Sequence, residues 1–163
     1  MANAAAMPGL GEKFVTLGVG RETFAVDVDS VREILDPRPM AVLPHAPPFL
    51  SGIIEVRGRA VPVIDLPKKL GFAASALDAH SRIVVVEVPL AERRLIVGLL
   101  TDRVFEVTAL DGQTAELPPD IGVRWRSDYI RAIGRRNGGF VIVFDLVRLF
   151  SGAETALLAE EAK

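Results

Sequence analysis

The side chains with the most potential for bond-making chemistry in this sequence are two histidines and two aspartates. His45 follows Pro44 and His80 stands in an Ala/Ser-rich stretch, and neither has a second metal ligand or a nucleophile at a suitable spacing. Zinc needs three or four ligands from Cys, His or carboxylate, and the chain has no cysteine. Asp65 and Asp145 each precede a short apolar segment, which fits a helix cap better than an acid–base pair. We therefore expect no catalytic residue, no metal and no cofactor, and we expect both histidines at the surface.

Motifs that mark common enzyme sites are missing as well. The Gly-x-Gly at Gly18–Gly20 lacks the third glycine and the following helix of a nucleotide-binding loop, so it indicates a hairpin turn. The sequence has no Gly-x-Ser-x-Gly nucleophile elbow. Because cysteine is absent, thiol nucleophiles and disulfides are excluded. These observations argue for a protein that is not an enzyme.

One stretch has residue types that could bind single-stranded nucleic acid. Small β-barrels hold single strands with aromatic side chains in a basic groove. The formal net charge of −2 gives the whole chain no attraction to phosphate, so a solvated strand face with a partly buried tryptophan is the favoured interpretation. Nucleic-acid binding is kept only as a weaker alternative. The aromatic and basic residues of this stretch are Arg124, Trp125, Arg126, Tyr129, Arg131, Arg135 and Arg136.

The composition is that of an ordinary folded protein. The 163 residues are 50% hydrophobic and 25% charged, which is enough for one compact unit or two small lobes. The longest apolar runs, such as Leu95–Leu100, are far shorter than the roughly 20 residues that span a bilayer. The segment Met1–Gly11 lacks the basic start and the apolar run of a signal peptide. We expect a cytoplasmic protein with no direct membrane insertion.

Short strands dominate the periodic signals. Eight segments are rich in Val and Ile and are bounded by glycine or turn formers, which is typical of a barrel or a sandwich. Asn137-Gly138 lies between two of them and predicts a tight hairpin, because such a turn needs positive φ. The predicted strands are Phe14–Leu17, Thr23–Val28, Ile53–Val56, Ala60–Ile64, Arg82–Val88, Arg94–Leu100, Tyr129–Ile133 and Phe140–Phe144.

Helix signals are few. Ser30 and Glu33 have the spacing of a capping box and predict a short helix near Asp29–Leu35. Leu66–Leu70 and Leu146–Phe150 each follow an aspartate cap and precede a glycine, which predicts two matched helical turns. The composition of Ala153–Lys163 favours a frayed helix.

An internal repeat relates the two halves of the chain. Arg57–Leu66 lines up with Asn137–Leu146, with matching glycine, valines, aspartate and leucine, and Asp29–Ile34 resembles Asp102–Val107. Because the two blocks keep their order, duplication is favoured over chance similarity among Val-rich strands. We expect two similar β-lobes of roughly 60 to 70 residues that share one core and are connected near 72–81.

The segment Leu43–Leu66 carries the most specific motif. It has Leu-Pro and a further proline, then Gly, two apolar residues, a polar residue, an apolar-Arg-Gly and an apolar-Pro-Val-Ile-Asp-Leu. This order closely resembles the signature of the CheW-like chemotaxis coupling proteins. With Val31–Ile34 and Asp102–Val104, the likeness spans about Phe14–Phe150.

The resemblance implies a mostly β fold with two five-stranded SH3-like β-barrel subdomains around a shared hydrophobic core and few short helices. It implies a CheW-like domain over 13–150, between a flexible N-terminal tail at 1–12 and a C-terminal tail at 151–163. The implied function is a scaffold or adaptor that couples methyl-accepting chemoreceptors to a CheA-type histidine kinase. Its partners would be the receptor cytoplasmic tip and the kinase regulatory domain. A CheW-like adaptor of a non-chemotaxis kinase pathway is the alternative.

By the same resemblance, the partner-binding positions are Val31, Glu33, Gly52, Arg57 and Gly58. An arginine on a hairpin turn can present a fork of five donors to a partner, but it can equally pair with Glu55, which stands where asparagine is usual in the family. Val31 fits an exposed apolar anchor or the core face of a short helix, and Glu33 fits an interface pair or its own capping box. Gly52 could admit a partner backbone or only relieve a turn.

Overall fold

The computed structural model describes residues 12–74, 76–110, 116–117, 119 and 129–150. In this part of the chain it contains ten strands and two short helices. The strands are β1 Phe14–Val19, β2 Glu22–Asp27, β3 Val31–Leu35, β4 Leu50–Val56, β5 Arg59–Asp65, β6 Arg82–Pro89, β7 Arg94–Thr101, β8 Arg103–Thr108, β9 Ile130–Arg136 and β10 Gly139–Phe144, and the helices are α1 Leu66–Lys69 and α2 Leu146–Leu149.

All eight predicted strands and both matched helical turns are present. The Asp65 side chain accepts a hydrogen bond from the backbone N–H of Lys68 at 3.1 Å, and the Asp145 side chain accepts one from Arg148 at 3.2 Å. Each aspartate therefore satisfies a free donor at a helix start, as the sequence predicted. Both chain ends lie outside the described residues, and so does most of the stretch between Leu110 and Tyr129.

The prediction of a helix near Asp29–Leu35 is wrong. One 3₁₀ turn covers Val28–Ser30, and its cap is Asp27, whose side chain accepts from the N–H of Asp29 at 3.1 Å. The chain then continues as strand β3 and pairs with β6. Tertiary pairing has overridden the capping-box signal, because β3 pairs along β6 and its half-buried Val31 and Leu35 pack against apolar residues on opposite sides of the sheet.

The strands form two five-stranded mixed sheets, in the orders β8-β1-β2-β10-β9 and β3-β6-β7-β5-β4. We call them sheet A and sheet B. The expected fold class, mostly β with two five-stranded units and few short helices, is confirmed. If β1–β5 are taken as the first copy of the repeat and β6–β10 as the second, and the strands are equated one by one, the two sheets have the same strand order. The two copies of the repeat therefore do not each fold into one sheet: each sheet joins the first hairpin of one copy to the last three strands of the other.

Three apolar clusters result from this exchange. The largest lies between the sheets and includes Leu17, Val26, Val84 and Leu99, none of which is exposed. A second cluster fills the other face of sheet B and includes Val63 and Ile83, and a third lies on the other face of sheet A, around Phe14 and Val143. Strand β6 alternates between the first two clusters, as a strand buried on both faces must. The shared core expected between the lobes is the first cluster.

Candidate functional site

The Arg57-Gly58 turn joins β4 to β5 at one end of sheet B. Its two residues have φ values of 52° and 81°, and Asn137 and Gly138 repeat them at 54° and 83° in the turn between β9 and β10. A primed hairpin turn needs both values to be positive, which Asn and Gly tolerate and arginine does not favour. A Cβ on Gly58 would meet nothing within 4 Å, so this glycine serves the backbone conformation and not a close contact.

Arg57 and Glu33 are brought together by the fold. Arg57 Nε donates to Glu33 Oε2 at 3.0 Å, with the arginine side chain 79% exposed and the glutamate 24% exposed. The intramolecular partner of Arg57 is therefore Glu33 on the edge strand β3, and not Glu55. The pair connects the two edges of sheet B, because β3 and β4 are its outermost strands. The remaining guanidinium surface points to solvent and can still meet a partner.

Val31 lies on the inward side of β3. It is opposite Val86 in the strand pairing and packs, half-buried, against the cluster between the sheets. It is thus neither a helix core residue nor a fully exposed anchor. Its neighbour Ile34 is 42% exposed and continues the same apolar face to the surface.

Gly52 has a close neighbour within its own chain. A Cβ at this position would lie 2.6 Å from the carbonyl oxygen of Ala41 and 2.9 Å from the Cβ of Met40. Ala41 and Ile53 exchange two backbone hydrogen bonds, at 2.9 Å and 2.8 Å. Gly52 therefore lets the loop before β4 cross directly over that strand. An open groove of about 430 Å³ runs from this crossing to the turn, and it is lined by Ala41, Ile53, Ile54, Glu55, Gly58, Arg59 and Ala60.

The predicted site residues fall into two places. Glu33, Arg57 and Gly58 meet at one end of sheet B, whereas Gly52 is five residues from Arg57 along β4, or about 16 Å at the usual strand rise of ~3.3 Å. Val31 precedes Glu33 on the edge strand but faces the other side. The open groove is the feature that connects the two ends of β4.

A cluster of three charged residues lies beside this site and was not predicted. Glu87 on β6 accepts from Arg32 on β3 and from Arg94 on β7, the latter at 2.6 Å. The two guanidinium hydrogen bonds hold the pKa of the Glu87 carboxyl below its usual range. Arg32 and Glu87 are 55 residues apart in sequence, so no local pattern could reveal the contact.

The two histidines lie at the surface. His45 and His80 are exposed, as predicted. Within the described ranges, no three His, Cys, Asp or Glu side chains are grouped so that they could hold a metal ion. Among the same residues, no helix is long and apolar enough to cross a membrane.

The basic residues of the nucleic-acid alternative are partly engaged within the chain. Arg131 makes two hydrogen bonds to Glu12, at 2.9 Å and 3.2 Å. The Arg135 guanidinium lies 4.6 Å from the ring centre of Phe140, and Arg124, Trp125 and Arg126 lie outside the described residues. In the described part of the stretch, Arg131 is therefore paired with a carboxylate, whereas Arg135 is exposed.

Comparisons with known proteins match almost the whole described chain. The family model for the "CheW-like domain" matches residues 13–154. A protein named "Probable chemotaxis protein CheW" from Rhizobium etli is 30% identical over 143 residues, which are 88% of this chain and 90% of that protein. The crystal structure of "scaffolding protein TtCheW" from Thermoanaerobacter tengcongensis has a TM-score of 0.76 at 28% identity and covers 89% of this chain and 96% of that one.

The fold and these matches define a non-catalytic scaffolding protein built on paired β-sheets. The chain belongs to the CheW-like domain family. The family resemblance inferred from the sequence is confirmed, and so is the expectation that the protein is not an enzyme. A further relative, "Protein PilI" from Pseudomonas aeruginosa, is 31% identical over 103 residues, which are 62% of this chain and 56% of that protein.

Proposed function

We propose that this protein couples the cytoplasmic tips of chemoreceptors to the regulatory domain of a CheA-type histidine kinase. It would work in the cytoplasm and be recruited to receptor arrays at the membrane. Support comes from the match to chemotaxis proteins named CheW over almost the full length of both chains. Signal passes through binding alone.

The observation that carries the proposal is the exposed Arg57 guanidinium held across the end of sheet B by Glu33. Glu33 orients the arginine, and Gly58 permits the turn that presents it. An arginine fixed in this way loses little side-chain entropy when it meets a carboxylate or a carbonyl.

The other two partner-binding positions would act through shape. Val31 and the exposed Ile34 give β3 an apolar face on the side of the strand opposite to Glu33 and Arg57. Gly52 keeps the loop at Met40 and Ala41 against β4 and so shapes the groove that leads to the turn. A mixed surface of this kind, with an apolar face beside charged groups, is typical of transient protein interfaces.

Weak single contacts are sufficient for such a scaffold. Transient interfaces of about 1,200–2,000 Å² often give micromolar affinities. Several such contacts in an array raise the overall affinity through effective concentration. We therefore expect weak pairwise binding and firm retention in the assembled complex.

Co-sedimentation of the purified full chain with receptor tips and a CheA-type kinase tests the proposal. Arg57→Glu is compared with Arg21→Glu, because Arg21 is also an exposed arginine on a hairpin turn but lies in sheet A, between β1 and β2. We expect the wild type and Arg21→Glu to enter the pellet with both partners, and Arg57→Glu to lose the receptor tip. A wild type that recruits neither partner would refute the coupling function, and full coupling by Arg57→Glu would refute only the role of that residue.

An adaptor role in a non-chemotaxis kinase pathway is the second candidate. The similarity to PilI, a relative not named for chemotaxis, favours keeping it. The same assay with kinases from each pathway of the source organism separates the two candidates. The remaining alternative is binding of single-stranded nucleic acid. It is tested by measuring the affinity for a single-stranded oligonucleotide at several salt concentrations, because phosphate contacts give a steep salt dependence.

A further inference from the structure

Three charged side chains form a row across neighbouring strands of sheet B. Arg32 lies on β3, Glu87 on β6 and Arg94 on β7, and β6 stands between the other two strands. Glu87 Oε1 accepts from Arg32, and Glu87 Oε2 accepts from Arg94 at 2.6 Å. We call this group the arginine clamp. It holds two guanidinium groups in fixed positions through one carboxylate.

The strand register places the clamp next to Glu33. Val85 is opposite Glu33 in the β3–β6 pairing, and Glu87 follows Val85 by two residues on the same face of β6. The pairing shifts by one residue between Val31 and Glu33, which leaves Arg32 as the extra residue of a bulge. The bulge allows Arg32 to reach Glu87 while Glu33 reaches Arg57. The clamp and the Arg57–Glu33 pair are therefore parts of one continuous surface.

The clamp has more positive than negative charge. Two arginines share one carboxylate, and both oxygens of that carboxylate already accept a hydrogen bond. Glu87 is 19% exposed, whereas Arg32 is 50% exposed and Arg94 is 71% exposed. The hydrogen bonds from both arginines lower the pKa of Glu87, so the carboxylate stays charged and keeps the clamp together. Most of the N–H donors of the two guanidinium groups remain directed at solvent.

We propose that Arg32 and Arg94, held by Glu87, form a binding site for a carboxylate side chain of the protein partner that docks on β3. The inference rests on the proposed coupling function for the existence of that partner, and it assigns an acidic character to the partner's contact surface. Guanidinium pairs bind carboxylates through charge-assisted hydrogen bonds, and prior ordering by Glu87 reduces the entropy lost on binding.

A protein carboxylate fits this surface better than a nucleic acid. The clamp carries a net charge of only one, and the neighbouring Glu33 carboxylate would repel a run of phosphates. The exposed Ile34 lies on the opposite side of the same edge strand, so a protein that docks on this edge meets an apolar group as well as the charged ones.

Charge reversal tests the inference on the full chain. The Arg32→Glu/Arg94→Glu variant is compared with Arg135→Glu, which reverses an exposed arginine of sheet A. Binding of the receptor tip and of the kinase regulatory domain is measured by titration at two salt concentrations. We expect the double variant to bind one of the two partners about tenfold more weakly at low salt and with less salt dependence, and we expect Arg135→Glu to match the wild type.

Two controls separate loss of the clamp from misfolding and from the repulsion that the new glutamates introduce. Thermal unfolding shows whether the double variant is folded, and Arg94→Gln, which removes one charge without adding a repulsive one, should weaken the same partner by a few-fold. Replacement of acidic residues on that partner by lysine should restore binding to the double variant. Equal binding of both partners by the double variant and the wild type would overturn the clamp and leave the coupling function intact. A wild type that binds neither partner would refute both the clamp and the coupling function. If the double variant lost only its binding to an oligonucleotide, the clamp would be a phosphate site instead.

Discussion

Arg136 Nε lies 3.5 Å from Glu106 Oε2, so sheet A contains an ion pair that corresponds to the Arg57–Glu33 pair of sheet B. Glu106 stands on the edge strand β8 at the position that the repeat assigns to Glu33. Arg136 directly precedes the Asn137-Gly138 turn, whereas Arg57 is part of the corresponding turn. Both pairs connect an edge strand to the hairpin at the opposite edge of the same sheet. The duplicated fold thus uses one ionic contact twice.

The Arg57–Glu33 pair should contribute modestly to stability. Its arginine is 79% exposed, and exposed pairs typically contribute about 0.2–1 kcal/mol after solvent screening. A double-mutant cycle with Glu33→Gln, Arg57→Gln and the double variant, followed by urea unfolding, measures the coupling. We expect a value in that range that falls with added salt. A coupling of zero at low salt would show that the contact does not stabilise the fold.

Stability should depend on pH through Glu87. Because folding lowers its pKa from the usual 4.5, the folded protein binds this proton less readily than the unfolded chain does. Its contribution is therefore fully present above pH 4.5 and is lost as the pH falls through the folded pKa. Urea unfolding of the wild type and Glu87→Gln at several pH values checks this. The wild type should be the more stable at neutral pH, by a margin that shrinks in acid, and a constant margin down to about pH 3 would contradict the assignment.

Much of the fold is predictable because its signals are local. The Asn137-Gly138 turn needs only two residues, and each aspartate cap needs only its own helix start. Strand β3 was missed because its charged residues imitate a capping box, and β8 was missed because its sequence RVFEVT has no apolar run. Both are edge strands, where one side of the strand meets solvent and the apolar pattern weakens.

The parts that could not be predicted depend on contacts far apart in sequence. The exchange of hairpins between the copies rests on parallel pairing of β5 with β7 and of β10 with β2. No sequence pattern distinguishes that arrangement from two separate lobes. The choice of Glu33 over Glu55 as the partner of Arg57 has the same origin, because only the paired sheet shows which edge strand faces the turn.

Gly52→Ala should be clearly destabilising. The new Cβ would lie 2.6 Å from a backbone carbonyl oxygen of Ala41, which cannot rotate away as a side chain can. Overpacking of this kind costs about 1–3 kcal/mol, which guanidinium unfolding can measure. Gly139→Ala is the control, because its Cβ would have no neighbour closer than 3.8 Å. Equal stability of the two variants would contradict the close crossing of the loop over β4.

Arg57→Asn should separate stability from binding. Arg57 has a φ of 52°, and the second copy has asparagine at the corresponding φ of 54°. Asparagine tolerates this left-handed conformation better than arginine does. For a residue such as arginine, the conformation costs roughly 1–2 kcal/mol. The gain in the turn should offset the loss of the pair with Glu33, so the free energy of unfolding should equal or exceed that of the wild type. Binding to the receptor tip should nevertheless weaken, because the guanidinium is gone.

Asn137→Arg is the reciprocal variant, and it should lower stability without affecting binding to the receptor tip. If Arg57→Asn instead lost stability and kept its affinity, arginine at this turn would be a structural residue and not a binding one.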